Sequence, residues 1–304
     1  MCRTSLSCWE KGGLFLRVLD YFQPATVDEA VRCLSRSPNT TKVLAGGTDL
    51  IIQLRERVVE PEYILDLGYI NELREIVETD NSVVIGSMAT FTTIENNPLV
   101  RAHLPMLAKA AGSVGSPQIR NSGTIGGNLA NAATAADTVP ALLALEAKAV
   151  LASGHGKREV AVAELLAGIN KTNIASDEIL ISLIVPIPTG STYGTFVKLG
   201  RRKALAIARL NLGLTVSLQD SGSIGKVTLA LGAVGTTAYR VAEVEEYLCG
   251  QAPTPELFEA AGELLSSVVA RKLGDRPTAS YKKAIAKAAL KRGLVQIGTE
   301  CGRW

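Results

Sequence analysis

Histidine is nearly missing from this sequence, with two among 304 residues. His103 falls in a predicted helix and His155 in a Gly-His-Gly turn. Neither lies in a pattern suited to metal ligation or to a Ser-His-Asp relay, so both read as solvated surface. Cysteine is scarce as well. Cys2, Cys8, Cys33, Cys249 and Cys301 are scattered, odd in number and form no C-x-x-C pair. That pattern gives no disulfide framework and no iron–sulfur or zinc signal. No apolar run reaches the length of a membrane span. Arg3, Glu10, Lys11 and Arg17 interrupt any signal-peptide core, so a cytoplasmic location is expected. Excess charge is missing too. The net charge is +3, and no basic stripe carries interleaved aromatics, so nothing points to nucleic acid. The densest basic run, Lys198 to Lys203, is short; it reads as solvated surface or as a contact to an anionic cofactor.

What remains is ample apolar material and glycine. Hydrophobic residues make up 47 % of the chain and charged ones 20 %, enough for a sizeable core. The length fits one large domain or two ordinary ones. A chain poor in catalytic side chains and rich in glycine suits a protein that holds a cofactor and lets it do the chemistry.

Residues 1 to 13 show no periodicity and read as an extension. Thr26 and Glu29 have capping-box spacing, and Val27, Ala30, Val31 and Leu34 share one helical face. Lys42 to Ala45 reads as a strand running into Gly46-Gly47-Thr48-Asp49, with a helix following through Leu50, Ile51 and Leu54. A strand is expected at Tyr63 to Leu67 and a hairpin around Asp80-Asn81. One helix is expected from Pro98 to Ala111. Gly112 to Asn131 then reads as a long functional loop. Asp137 is expected to cap an apolar helix through Leu145. A second hairpin (Val150 to Ser153, Glu159 to Val162) and a strand (Ile179 to Val185) follow. The texture changes at Pro186 to Gly190, where a domain boundary is placed. Beyond it, Leu210 to Gln219 alternates with period two, as a half-buried strand does. Ser221-Gly222-Ser223 turns it back, and three helical stretches close the chain, the second with Thr254 as cap and Pro255 at the first helical position.

Two glycine segments stand out, Val43-Leu44-Ala45-Gly46-Gly47-Thr48-Asp49-Leu50 and Gln118 to Asn128, which ends in Thr124-Ile125-Gly126-Gly127-Asn128. Paired glycines let backbone approach a ligand, and successive N–H groups can converge on an anion. Two such loops could clamp a dinucleotide pyrophosphate, with Thr48, Thr124 and Asn128 adding side-chain hydrogen bonds and Asp137 accepting from sugar or ribityl hydroxyls. The competing reading of Gly-Gly at a strand–helix junction is a plain tight turn. Neither segment has the Rossmann spacing or a P-loop lysine. Spacing alone therefore leaves the cofactor open.

The same segments resemble the FAD subunits of the molybdenum hydroxylases, the xanthine dehydrogenase and carbon monoxide dehydrogenase type. The resemblance runs through Tyr21 to Pro24, Val43 to Leu50, Gln118 to Leu129, Ala136-Asp137, Pro140 to Leu145, Asp177 to Leu180, Lys198 to Arg202, Gly232 to Val234 and Ser280-Tyr281. It implies an α+β chain: a vanillyl-alcohol-oxidase (PCMH)-type FAD domain of two α/β subdomains over residues 14–189, then a smaller C-terminal domain over 190–304 with an antiparallel sheet and helices. It implies noncovalent FAD held by Val43 to Leu50 and Thr124 to Asn128. It also carries cofactor contacts to Asp137, Leu180 and Lys198; Leu180 reads equally as core and Lys198 as surface. Residues 1–13, the lack of proline in Gly235 to Tyr239, and Lys282 where an arginine is common depart from the family pattern.

The mechanism implied by the resemblance begins at molybdopterin on a large partner, crosses two [2Fe–2S] clusters on a small partner and reaches FAD here. NAD or another acceptor then takes the electrons. No general acid, base or metal ligand is expected in this chain. Two rivals are a stand-alone FAD oxidoreductase of the same cofactor fold, which needs its own proton donor, and a scaffold that has lost FAD, against which the intact glycine loops argue.

Overall fold

The computed structural model describes residues 20–202 and 205–304, so the expected N-terminal extension lies outside the described residues. Strands β1 (Asp20–Phe22), β2 (Thr41–Leu44) and β3 (Tyr63–Asp66) form a small parallel sheet in the order β1-β3-β2. Helix α1 (Val27–Leu34) connects the first two strands. Thr26 Oγ1 accepts from the Glu29 amide at 3.2 Å, and the Glu29 carboxylate accepts from the Ala25 amide at 2.9 Å. Val27, Ala30, Val31 and Leu34 are buried, as their spacing predicts. A short helix, α2 (Leu50–Arg55), follows β2 across the first glycine segment.

Hairpin β4 (Ile76–Thr79) and β5 (Ser82–Gly86) begins a second, antiparallel sheet. Six helices then intervene: α3 (Phe91–Asn96), α4 (Pro98–His103), α5 (Pro105–Gly112), α6 (Pro117–Ser122), α7 (Ile125–Asn131) and α8 (Thr138–Ala144). The chain returns as hairpin β6 (Lys148–Ser153) and β7 (Gly156–Ala161), then α9 (Val162–Leu165), a small hairpin of β8 (Leu166–Gly168) and β9 (Lys171–Thr172), and β10 (Ile179–Pro186). The sheet order is β4-β5-β10-β6-β7. A register shift between Leu180 and Ser182 marks a bulge in β10.

The remainder is a four-stranded antiparallel sheet of β11 (Thr192–Leu199), β12 (Leu210–Leu218), β13 (Ile224–Gly232) and β14 (Tyr239–Arg240). Helices α10 (Ala242–Leu248), α11 (Pro255–Leu273) and α12 (Ala279–Cys301) complete it. The α+β class expected from the sequence is the class observed. Among the described residues, no helix is long and apolar enough to cross a membrane.

Three expectations need correction. The helix foreseen over Pro98 to Ala111 is two helices, because Leu104 leaves helical geometry (φ −131°, ψ 51°) just before Pro105. The long loop foreseen over Gly112 to Asn131 contains α6 and α7. Ser116 Oγ caps α6 at the Ile119 amide with Pro117 at its first position, and Thr124 Oγ1 caps α7 at the Gly127 amide. Strand β12 is buried on both faces rather than one. A Cβ at Gly213 would stand 2.5 Å from the Pro140 carbonyl of α8, and one at Gly293 of α12 would stand 3.2 Å from Leu214. Helices therefore cover both sides of the strand, and its small and polar alternate residues are inside contacts.

Candidate functional site

A cavity of about 470 Å³ lies between the parallel sheet and the second sheet, and both glycine segments line it. From the first come Val43, Ala45, Gly46, Gly47, Thr48, Asp49 and Leu50; from the second, Thr124, Gly126, Gly127 and Asn128; Leu180 joins them from β10. Leu44, Ile125, Asp137 and Lys198 are not in the lining, and Ile125 is fully buried beneath it.

The two segments meet backbone to backbone. A Cβ on Gly46 would fall 2.0 Å from the Ser122 carbonyl oxygen and 2.9 Å from the Gly123 Cα, so only glycine admits this approach. Gly47 has φ +71°, the left-handed region that glycine enters without cost. Turning there sets a run of amides loose. Among the described residues, the N–H groups of residues 46–50 donate to no protein acceptor. The first backbone bond inside this turn runs from the Ile51 amide to the Gly47 carbonyl at 3.1 Å. These residues are partly or fully exposed, and the free donors lead into the N-terminus of α2, where backbone N–H groups stand ready for an anion.

The second segment is built differently. Its amides are already committed: Ile125 to the Ala89 carbonyl at 3.0 Å, Gly126 to the Ser87 carbonyl at 2.9 Å, Gly127 to Thr124 Oγ1 at 3.1 Å. Gly126 and Gly127 line the cavity with their amides bonded to protein, and Gly126 has a packing role as well. A Cβ at Gly126 would stand 2.6 Å from the Ser87 Cβ, so this glycine lets α7 sit directly on the turn after β5. Side chains are spoken for as well: Thr124 caps its own helix, Asn128 Oδ1 accepts from Thr138 Oγ1 at 2.7 Å, and Thr48 Oγ1 donates to Asp49 at 3.3 Å. Ser87 lines the cavity with a buried hydroxyl that has no partner among the described residues.

Asp137 and Lys198 form a separate polar centre. Asp137 stands at the N-cap position of α8, yet its carboxylate caps nothing. Lys198 Nζ donates to Asp137 Oδ2 at 2.5 Å and to the Ser113 carbonyl at 2.8 Å; Asn211 Nδ2 donates to Asp137 Oδ1 at 3.0 Å. Burial pushes the Asp137 carboxyl up from the ordinary value, and Lys198 and Asn211 partly oppose that rise. Lys198 is thus a nearly buried ion-pair partner with 14 % of its side chain exposed, and the solvated-surface reading fails. The Thr138–Asn128 bond ties this centre to the glycine segment of α7.

Sequence reasoning missed part of the lining. Thr172, Ile174, Ala175, Ser176 and Glu178 also line the cavity. Arg158 grips Glu178 through two nitrogens, at 2.5 and 2.8 Å, and the Ala175 amide donates to the same carboxylate at 2.8 Å. Glu178 falls within the Asp177 to Leu180 resemblance, but no local pattern marks Thr172 to Ser176; their place between β9 and β10 brings them here.

Comparison with known proteins gives two family matches. Residues 17–188 match the family described as "FAD binding domain in molybdopterin dehydrogenase", and residues 195–297 match the "CO dehydrogenase flavoprotein C-terminal domain". The chain is 35 % identical over 286 residues to the nicotinate dehydrogenase FAD-subunit of Eubacterium barkeri, covering 93 % of this chain and 97 % of that one. It is 32 % identical to the carbon monoxide dehydrogenase medium chain of Hydrogenophaga pseudoflava, covering 93 % and 98 %. A solved structure of carbon monoxide dehydrogenase from that organism, lacking the Mo-pyranopterin moiety, superimposes with a TM-score of 0.86 at 32 % identity, covering 92 % of this chain and 97 % of that one.

Proposed function

The chain belongs to the FAD-binding medium subunits of molybdenum hydroxylase-type dehydrogenases, and from that premise we propose that it carries electrons from [2Fe–2S] clusters of a small partner subunit to NAD or another acceptor. In this reading a large partner subunit holds the molybdopterin and oxidises the substrate. The FAD cofactor and the oxidoreductase role follow from the family itself. The stand-alone FAD oxidoreductase has no observation in its favour.

One observation carries the assignment of the site: residues 46–50, whose amides find no protein acceptor among the described residues, line the cavity beside the crevice that Gly46 creates. Such donors fit the pyrophosphate of FAD. In the proposed arrangement residues 43–50 hold the pyrophosphate, and Thr124 to Asn128 supply a rigid floor. Leu180 and residues of the stretch from Thr172 to Glu178 complete the lining. Asp137 and Lys198 are assigned to the flavin half by resemblance; they stand behind the cavity lining, joined to it through the Thr138–Asn128 bond. When bound, FAD supplies the chemistry by converting single-electron arrivals into two-electron release. The residues of this chain bind, orient and electrostatically tune it, and none is assigned as general acid or base.

The test is purification alone and with partners. The lone chain should hold FAD that mild acid or heat releases, and should contain neither molybdenum nor iron in stoichiometric amount. Substrate oxidation should appear only on co-expression with the small and large subunits. Stoichiometric iron, flavin that stays attached after denaturation, or hydroxylation by the lone chain would overturn the reading.

A further inference from the structure

A cationic cluster lies beyond the site just described. Lys282, in the first turn of α12, donates through its ammonium to the Ala233 carbonyl. Arg209 immediately precedes β12, whose Asn211 pairs with Gly232, so it stands at the end of the ladder where Ala233 turns away. Arg276 lies just before α12, its carbonyl accepting from the Ala279 amide at 2.8 Å. Three segments of chain thus gather three cations around one turn. Burial first, and then the like charges of Arg209 and Arg276, hold the Lys282 ammonium below its ordinary pKa. Among the described residues, no carboxylate pairs with any of the three, and neighbouring Asp275 makes no ion pair.

The Ala233 turn has φ +62°, an unusual conformation for alanine, and its amide donates to the Thr134 carbonyl at 2.7 Å. Thr134 is three residues from Asp137. Asn211, which holds the Asp137 carboxylate, lies two residues from Arg209. The cluster therefore borders the polar centre assigned above to the flavin half. Uncompensated like charges raise local anion concentration, and guanidinium groups match phosphate oxygens in bidentate geometry. We propose that Arg209, Arg276 and Lys282 form an anion site that takes the phosphate groups of a dinucleotide electron acceptor. This rests on the proposed function, which sets an acceptor beside the flavin.

The test uses the full chain loaded with FAD. NAD⁺, NADP⁺ and inorganic phosphate are titrated separately by calorimetry into the wild type, Arg209→Gln and Arg276→Gln. Neither guanidinium makes a side-chain hydrogen bond among the described residues, so both variants should fold and keep full flavin. Each should weaken dinucleotide binding about tenfold, the loss expected for one charge-assisted contact. Inorganic phosphate should compete, and raising the salt should weaken binding in the wild type more than in the variants. Unchanged dinucleotide affinity in both variants would overturn the site. Phosphate binding without dinucleotide binding would overturn the acceptor assignment. A chain that takes up no FAD would count against the proposed function instead, and phosphate titration of that apoprotein would still decide whether the anion site exists.

Discussion

At the scale of single residues, Asp137 and Lys198 are the most exposed to test. Their side chains are 8 % and 14 % exposed, so each depends on the other for compensation. Removing one partner of a buried pair costs roughly 3–5 kcal/mol because a charge is left without its counter-ion. Lys198→Met should show that loss, with a particular pH dependence. Burial already raises the Asp137 pKa in the folded state, and Lys198 opposes the rise, so the variant's pKa climbs further. A carboxyl with a raised folded pKa binds protons more tightly when folded. Stability is then kept at acid pH and lost as pH rises from the ordinary carboxylate value through the raised one. Urea denaturation at pH 5 and pH 8 should therefore find Lys198→Met more damaging at pH 8. An equal loss at both would mean that the pair is not the source.

At the scale of elements, backbone contact decides what can move. Gly46 brings the turn after β2 against the end of α6, with no room for a methyl group beside the Ser122 carbonyl. Gly127 is less constrained: a Cβ there meets Thr124 Oγ1 at 3.0 Å and Ala45 at 3.5 Å. Gly46→Ala should separate the loops, cost about 1–3 kcal/mol as overpacking does, and lose most of the flavin. Gly127→Ala should keep most of it. Flavin-to-protein ratios after gel filtration measure both, and the reverse order would refute the arrangement. The same contacts explain what the sequence concealed here. Glycine, serine and asparagine between 112 and 131 look like a loop, yet Ser116 and Thr124 cap two short helices within it. Short helices carry too few apolar positions to show a period; their caps and the prolines were the legible signal.

At the scale of the whole molecule, the C-terminal segment beyond the boundary proposed near residue 189 has a core cluster of its own, from Val197 to Ile297, yet a second cluster crosses that boundary. Phe196, Ala230 and Ala238 from the C-terminal segment are buried in one cluster with Ile85, Leu107 and Leu142 from the N-terminal segment. Glu146 reaches Lys226 at 2.5 Å and Arg240 at 2.9 Å, and Thr228 Oγ1 donates to the Ala144 carbonyl at 2.5 Å. The exposed ion pairs add little, while the shared apolar core couples the two segments. Heating should produce one cooperative transition, with circular dichroism and calorimetry coincident. Two separable transitions would show that the segments fold independently.

In the sequence by itself, the two glycine segments and most helix caps were legible from local chemistry: turns, periodic apolar positions and backbone that must lack a side chain; the class and the family came through resemblance. Asp137 and Lys198 were also marked only through resemblance. Tertiary structure alone decided how the two segments differ. Free amides belong to the first and packed amides to the second, since the acceptors Ser87 and Ala89 arrive from a distant turn. It alone joined Asp137 to Lys198 and Asn211, 61 and 74 residues away, and brought residues between Thr172 and Glu178 into the cavity lining. Contacts between strangers in the chain follow from how sheets and helices stack, and no local pattern encodes which partner will be there.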